Sequence, residues 1–212
     1  MSLESTLMSH SPLSISVPEL LEVKIIDKLA NKRLPGDLAM WFFILAELTV
    51  FAIFFIGFAI AEQLHSDMFI VSKAKLHPIA GLINTIALIT SSLFIALSVR
   101  AIHLNQVKRS INLLVISQVI ACVYLVVKIW EYQFLFNIGI DIETNTFFTL
   151  YFLITFFHFM HVLLGMVILL IIGINAKKGA YQEDISGFES GASYWHMVDM
   201  LWIILFPLIY VI

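Results

Sequence analysis

From Leu38 to Ala61 the chain runs for about 24 residues in which only Glu47, Thr49 and Gly57 are not plainly apolar. As a helix rising ~1.5 Å per residue this stretch would be ~36 Å long. A bilayer core of ~30 Å needs only ~20 such residues. Four more apolar runs follow, from His77 to about Val99, Ser110 to Trp130, Thr146 to about Ile174, and Ser193 to Ile212. With 60% hydrophobic and 13% charged residues in 212, there is more apolar surface than one soluble core can bury. The expected fold is all-α, an integral membrane bundle of five transmembrane helices.

The segments between these runs are polar. Met1 to Ser16 is serine-rich and reads as a disordered tail. Pro18 then suits the first turn of a helix, with Leu21, Ile25 and Leu29 recurring every four residues and Glu22, Lys24, Asp27 and Lys28 mostly elsewhere. That pattern predicts an amphipathic helix, lying along the membrane surface or docked on a partner protein. Residues 1–33 thus form a tail and interfacial helix, and 34–212 the five-helix domain. Pro35-Gly36 makes a turn, and Asp37 is placed to cap the first span. Glu62–Lys75, Arg100–Arg109, Gln133–Asn145 and Asn175–Ala192 are read as loops, the last with Gly179, Gly187 and Gly191 as breakers. Pro207 is expected to kink the fifth span, because its ring clashes with the carbonyl of Ile203.

Loop charge sets the expected orientation. Lys24, Lys28, Lys32, Arg33, Arg100, Lys108, Arg109, Lys177 and Lys178 fall on one side, and only Lys73, Lys75 and Lys128 on the other. The positive-inside rule then puts the N-terminus in the cytoplasm and the C-terminus outside. No basic patch interleaved with aromatics points to nucleic acid. The lone Cys122 has no second thiol with which to form an internal disulfide or a thiolate metal site.

Chemistry is confined to a few ionisable groups. Glu47 lies near mid-depth, where an acidic side chain costs about 2.5–3.5 kcal/mol on insertion scales. It must face protein, water or a partner, or keep its proton. His158 and His161, three residues apart, share a helix face, as do His196 and Asp199. Counted from the inner ends, Glu47 is ~14 Å and His161 ~20 Å deep, so the two meet if spans one and four pack together. Burial brings carboxyl and imidazole groups towards neutral titration, which suits proton relay. Glu47, His158 and His161 are therefore the proton-handling candidates, the alternative being core groups bonded to neighbours for packing. His196 and Asp199 sit shallower, able to pair with each other or with phospholipid head groups. Lys128 to Tyr132 reads as an interfacial girdle ending span three, with Glu131 as its cap. The small polar residues of span two (Asn84, Thr85, Thr90, Ser91 and Ser92) mark close helix contact. The histidines do not form the facing pairs a bis-histidine haem needs, and no His-Glu-x-x-His pattern appears. No metal, no cofactor and no catalytic residue is assigned to this chain. Three classes of function remain: a helper subunit of a redox complex, a stand-alone proton or solute translocator, and a small b-type cytochrome.

Four motifs, in order, carry a resemblance. Trp41 to Glu47 (WFFILAE) resembles the acidic helix of subunit III of haem–copper oxidases. Trp130-Glu131-Tyr132 resembles that family's acidic-aromatic helix end. Thr155 to Val162 (TFFHFMHV), with Gly165, resembles its T-G-x-H-x-x-H-V-x-x-G signature, although Phe156 stands where glycine is usual. Phe188-Glu189, Tyr194 to Asp199 (YWHMVD) and Trp202 resemble its closing motif. Within the family, the start at Leu34 to Trp41 and the Tyr194–Asp199 motif look most like the short NorE-type members associated with bacterial nitric oxide reductase. The larger members carry two further helices and a lipid-filled cleft.

The resemblance implies a multi-pass subunit of a bacterial inner membrane. Its partner would be a catalytic, haem-containing membrane subunit that carries the haem and metal of a cytochrome c oxidase or nitric oxide reductase. It implies support of proton uptake and of the catalytic subunit's stability, with Glu47 matching the family's carbodiimide-reactive carboxyl. It also implies a structural phospholipid, with Glu131, Tyr194, Trp195, His196 and Asp199 as lipid or subunit contacts.

Overall fold

In the computed structural model, residues 38–181 and 184–211 are described. The expected N-terminal tail, surface helix, Pro35-Gly36 turn and Asp37 cap lie outside them. Six helices follow one another: α1 (Leu38–Leu64), α2 (Ser66–Lys73), α3 (Pro78–His103), α4 (Val107–Asn137), α5 (Thr146–Lys177) and α6 (Ser186–Tyr210). Among the described residues, all but α2 are long and apolar enough to cross a membrane, giving five candidate spans.

The distribution of polarity is inverted relative to a water-soluble bundle. Phe42, Ile53, Ile79, Val119 and Leu170 point outward, each more than half exposed. Asn84, Ser91, Ser98, Ser110, Ser117, Lys128, Glu131 and His158 are fully buried. Such an arrangement suits apolar surroundings, where buried polar groups need hydrogen-bond partners inside the bundle. α5 and α6 form the centre. α3 and α4 make an antiparallel hairpin with α3 against α6 and α4 against α5, and α1 lies on the other side, touching both central helices.

Local sequence explains the helix ends. Pro78 occupies the first turn of α3, after an extended His77. The side chain of Asn145 accepts from Phe148 N at 3.0 Å to cap α5 and donates to Ser72 of α2 at 3.0 Å. α3, α4 and α5 each close on a left-handed residue, Asn105, Gly139 and Gly179. In each case the following amide bonds back five residues, as in Gln106 N to Ala101 O at 2.9 Å.

The structure corrects several boundaries. The expected loop Glu62–Lys75 contains α2, whose Phe69 is buried against Phe58 and Phe147. α4 runs seven residues beyond Trp130, to Asn137. α6 begins at Ser186, so Gly187 and Gly191 do not break it. Gly191 serves packing instead, since a Cβ there would come within 3.1 Å of Ile168 and Ile172. α6 continues through Pro207 to Tyr210, with the proline confined to the last turn.

Gly165 of α5 is the tightest point beneath the central pair. A Cβ at this position would meet Trp195 Cε3 at 2.9 Å, and Trp195 is fully buried. Gly165→Ala is therefore expected to destabilise the protein by about 1–3 kcal/mol, the usual cost of overpacking, read as a lower unfolding midpoint in detergent.

Candidate functional site

α1 and α5 cross so that Glu47 and His161 meet, with Oε2 and Nε2 2.9 Å apart. The other ring nitrogen, Nδ1, lies 2.8 Å from the carbonyl oxygen of Phe157. A carbonyl only accepts, so Nδ1 carries hydrogen. Nε2 then has two ways to bond the carboxyl. As neutral imidazole it accepts from a protonated Glu47, and as imidazolium it donates to a carboxylate. In both states the Glu47–His161 bond holds one proton, and the pair is neutral as a whole. This satisfies the energetic demand that Glu47 poses at mid-membrane depth.

Aromatic side chains wall the pair. The Phe157 and Phe51 rings lie 4.6 Å and 5.3 Å from the His161 ring. Phe43 stacks on Tyr194, whose hydroxyl donates to the carbonyl of His161 at 3.3 Å. The wall is incomplete, because the Glu47 side chain is 20% exposed at the outer surface of the bundle. The Glu47–His161 bond is thus held among apolar rings and is partly open at Glu47.

His158, one turn away, does not join the pair. It is fully buried, its ring lies 5.2 Å from that of Trp202 and 5.8 Å from that of Tyr124, and neither nitrogen has a partner among the described residues. His196 and Asp199 do not pair with each other among the described residues. His196 bonds through Nδ1 to Ser92 Oγ at 2.6 Å. It also lines a groove of about 320 Å³ with Trp41, Ile44, Leu48, Ser193, Met197 and Met200. Asp199 Oδ1 is buried without a partner among the described residues.

The residues expected at a lipid or subunit surface divide. Glu131, Tyr194, Trp195 and Asp199 are buried inside the bundle, while His196 lines the groove. The expected interfacial girdle at the end of span three is corrected, because α4 continues past Glu131 and carries its side chain inside. Lys128 Nζ bonds Glu131 Oε2 at 2.8 Å, Tyr210 Oη at 3.0 Å and Tyr151 Oη at 3.1 Å, which uses all three ammonium protons. Tyr210 in turn donates to Glu131 at 2.8 Å. The rings of Tyr151, Tyr132, Trp202 and Tyr210 surround the ammonium at 4.7 to 5.6 Å. Lys128 as a core cation was not anticipated from sequence. The signal present was Lys-x-x-Glu spacing followed by tyrosines at the same end of the next two spans. With Lys128 inside, the loop charges expected on the outer side reduce to Lys73 and Lys75, and Lys73 pairs with Glu62. Among the described residues, no three histidine, cysteine or acidic side chains come together as a metal-ligand group.

The profile of the family described as cytochrome c oxidase subunit III matches residues 35–212. The chain belongs to the cytochrome c oxidase subunit III family. It is similar to cytochrome c oxidase subunit 3 of Thermostichus vulcanus, 29% identical over 179 residues, or 82% of this chain and 86% of that one. It is 37% identical over 130 residues to the subunit 3 of Arabidopsis thaliana, covering 60% of this chain and 48% of that relative. It is 24% identical over 186 residues to the cytochrome bo(3) ubiquinol oxidase subunit 3 of Buchnera aphidicola, covering 87% and 89%. The chain thus spans most of the first and third of these subunits III and about half of the Arabidopsis one.

The buried ion pair yields a direct prediction. Lys128→Met alone strands Glu131 in the core and is expected to cost about 3–5 kcal/mol. Lys128→Met with Glu131→Leu, which removes both charges, is expected to regain most of that loss. Unfolding midpoints of the two variants compare these outcomes.

Proposed function

We propose that this subunit III-family chain is a non-catalytic membrane subunit of a haem–copper-type respiratory complex. In this reading it binds a catalytic, haem-containing membrane subunit, stabilises it, and supports proton uptake. The observation that carries the reading is the Glu47–His161 contact at 2.9 Å, which brings two ionisable side chains of α1 and α5 together. Two titratable groups within hydrogen-bond reach can pass a proton between them, which a packing contact does not require. The opening at Glu47 is the side on which exchange with a partner or with lipid-held water would occur.

In the same reading the bundle lies in a bacterial cell membrane with its Arg100–Arg109 end towards the cytoplasm. The groove beside His196 holds a phospholipid chain or an edge of the partner, with Trp41, Met197 and Met200 supplying apolar contact. The motif resemblance further favours a nitric oxide reductase as the complex served.

Purification in mild detergent from native membranes is expected to bring down a haem-containing partner, seen as a Soret band that co-elutes with this chain. Recovery of the chain alone would contradict the proposal, and the gas reduced by the partner decides between oxygen and nitric oxide. His196→Ala should lower the co-purifying fraction, and unchanged retention would remove the groove from the account. Glu47→Gln is expected to leave assembly intact, since the amide can donate to neutral His161, while slowing proton uptake by the complex. Loss of the whole complex would instead show an obligatory ionised pair.

A further inference from the structure

α3 and α4 meet through a ladder of polar rungs. Ser98 and Ser110 share a hydrogen bond at 2.8 Å, and each hydroxyl also reaches the other's carbonyl. Seven residues along each helix, in opposite directions, Ser91 and Ser117 repeat the contact at 2.8 Å. A seven-residue step keeps one face turned to the partner when two helices coil left-handedly. Continuing the same step leads to Asn84 on α3 and Tyr124 on α4. Trp202 marks the same level, because its indole donates to Oγ1 of Thr85 at 3.0 Å and its ring lies 5.1 Å from that of Tyr124.

This rung differs from the two before it. Asn84 and Tyr124 are fully buried. Yet neither amide atom of Asn84, nor the hydroxyl of Tyr124, has a hydrogen-bond partner among the described residues. His158 adds two unpartnered nitrogens beside the Tyr124 and Trp202 rings. Lipid cannot satisfy such groups. Together they offer both donors and acceptors. A metal cation would need acceptors alone and an anion donors alone, whereas water uses both and is retained where two to four polar partners surround it.

We propose that Asn84, Tyr124 and His158 hold ordered water in the middle of the bundle. This hydrated node lies between the Glu47–His161 pair, three residues along α5 from His158, and the Lys128 cluster, whose ammonium is 5.5 Å from the Trp202 ring. Filled, it joins two separate polar sites into one track through the bundle. The proposal rests on the ladder register and the unpartnered atoms, and it is independent of which complex the chain serves.

The test uses the full chain in lipid nanodiscs. A density map fine enough to show ordered water is expected to place water within hydrogen-bond reach of at least two of the three side chains. Direct bonding among them, or an empty gap, would overturn the proposal. Unfolding midpoints provide a second reading. In a hydrated node Tyr124→Phe and Asn84→Leu each lower the midpoint, and Tyr124→Phe combined with His158→Phe is non-additive because both remove the same water contacts. In a dry core Tyr124→Phe deletes an unsatisfied hydroxyl and raises the midpoint. A raised midpoint, or additive losses, would therefore contradict the node. If Asn84→Leu does not fold, Tyr124→Phe, which removes a single oxygen, carries the comparison.

Discussion

Hydrocarbon supplies no hydrogen bonds, and every arrangement in this bundle answers to that constraint. The backbone groups of the five long helices are satisfied along each helix, so the side chains decide how the helices associate. Apolar residues outside gain nothing from meeting one another rather than lipid. The polar residues inside therefore give the helices their specific partners. Ser91 with Ser117 and Ser98 with Ser110 set the register of α3 on α4. Lys128 with Glu131, Tyr151 and Tyr210 ties α4 to α5 and α6. Glu47 with His161 ties α1 to α5. Each contact is at once a fastening and a means of keeping a polar group out of lipid.

The two acid–base pairs inside the bundle differ in how they are enclosed. Lys128 donates to Glu131 and to two tyrosine hydroxyls, and Glu131 accepts from Lys128 and Tyr210, among surrounding aromatic rings. Removal of either side chain strands the other charge in the core. Glu47 and His161 share one bond and one proton, and the carboxyl side is partly open. That pair can pass between two neutral descriptions without creating net charge in the membrane. The contrast between a sealed cluster and an open pair, one on either side of the Asn84–Tyr124 level, is the chemical asymmetry of the molecule.

The spans were legible because length and apolarity alone mark a membrane helix, whereas depth along two helices allowed Glu47 to meet His161 only if spans one and four pack together, which the structure supplies. The helix ends were harder. Gly187 and Gly191 carry the composition of a loop, yet α6 uses them inside the helix, where Gly191 lets α5 approach. Lys128 and Glu131 looked interfacial because charge near an aromatic cluster usually marks the edge of a bilayer. Their burial depends on Tyr151 and Tyr210 arriving from α5 and α6, a tertiary fact with only a faint one-dimensional trace. The serine ladder was visible as small polar residues, but its seven-residue step carries meaning only once α3 and α4 are known to be antiparallel neighbours.

The central claim is that Glu47 and His161 share a single proton across one bond inside the membrane. Infrared spectroscopy of the purified chain in lipid, with the Glu47 band identified by its loss in Glu47→Gln, tests it directly. The account predicts that the Glu47 carboxyl band shifts when His161 is replaced by phenylalanine, because the hydrogen bond that sets its frequency is gone. A Glu47 band at the same position with and without the imidazole would contradict it.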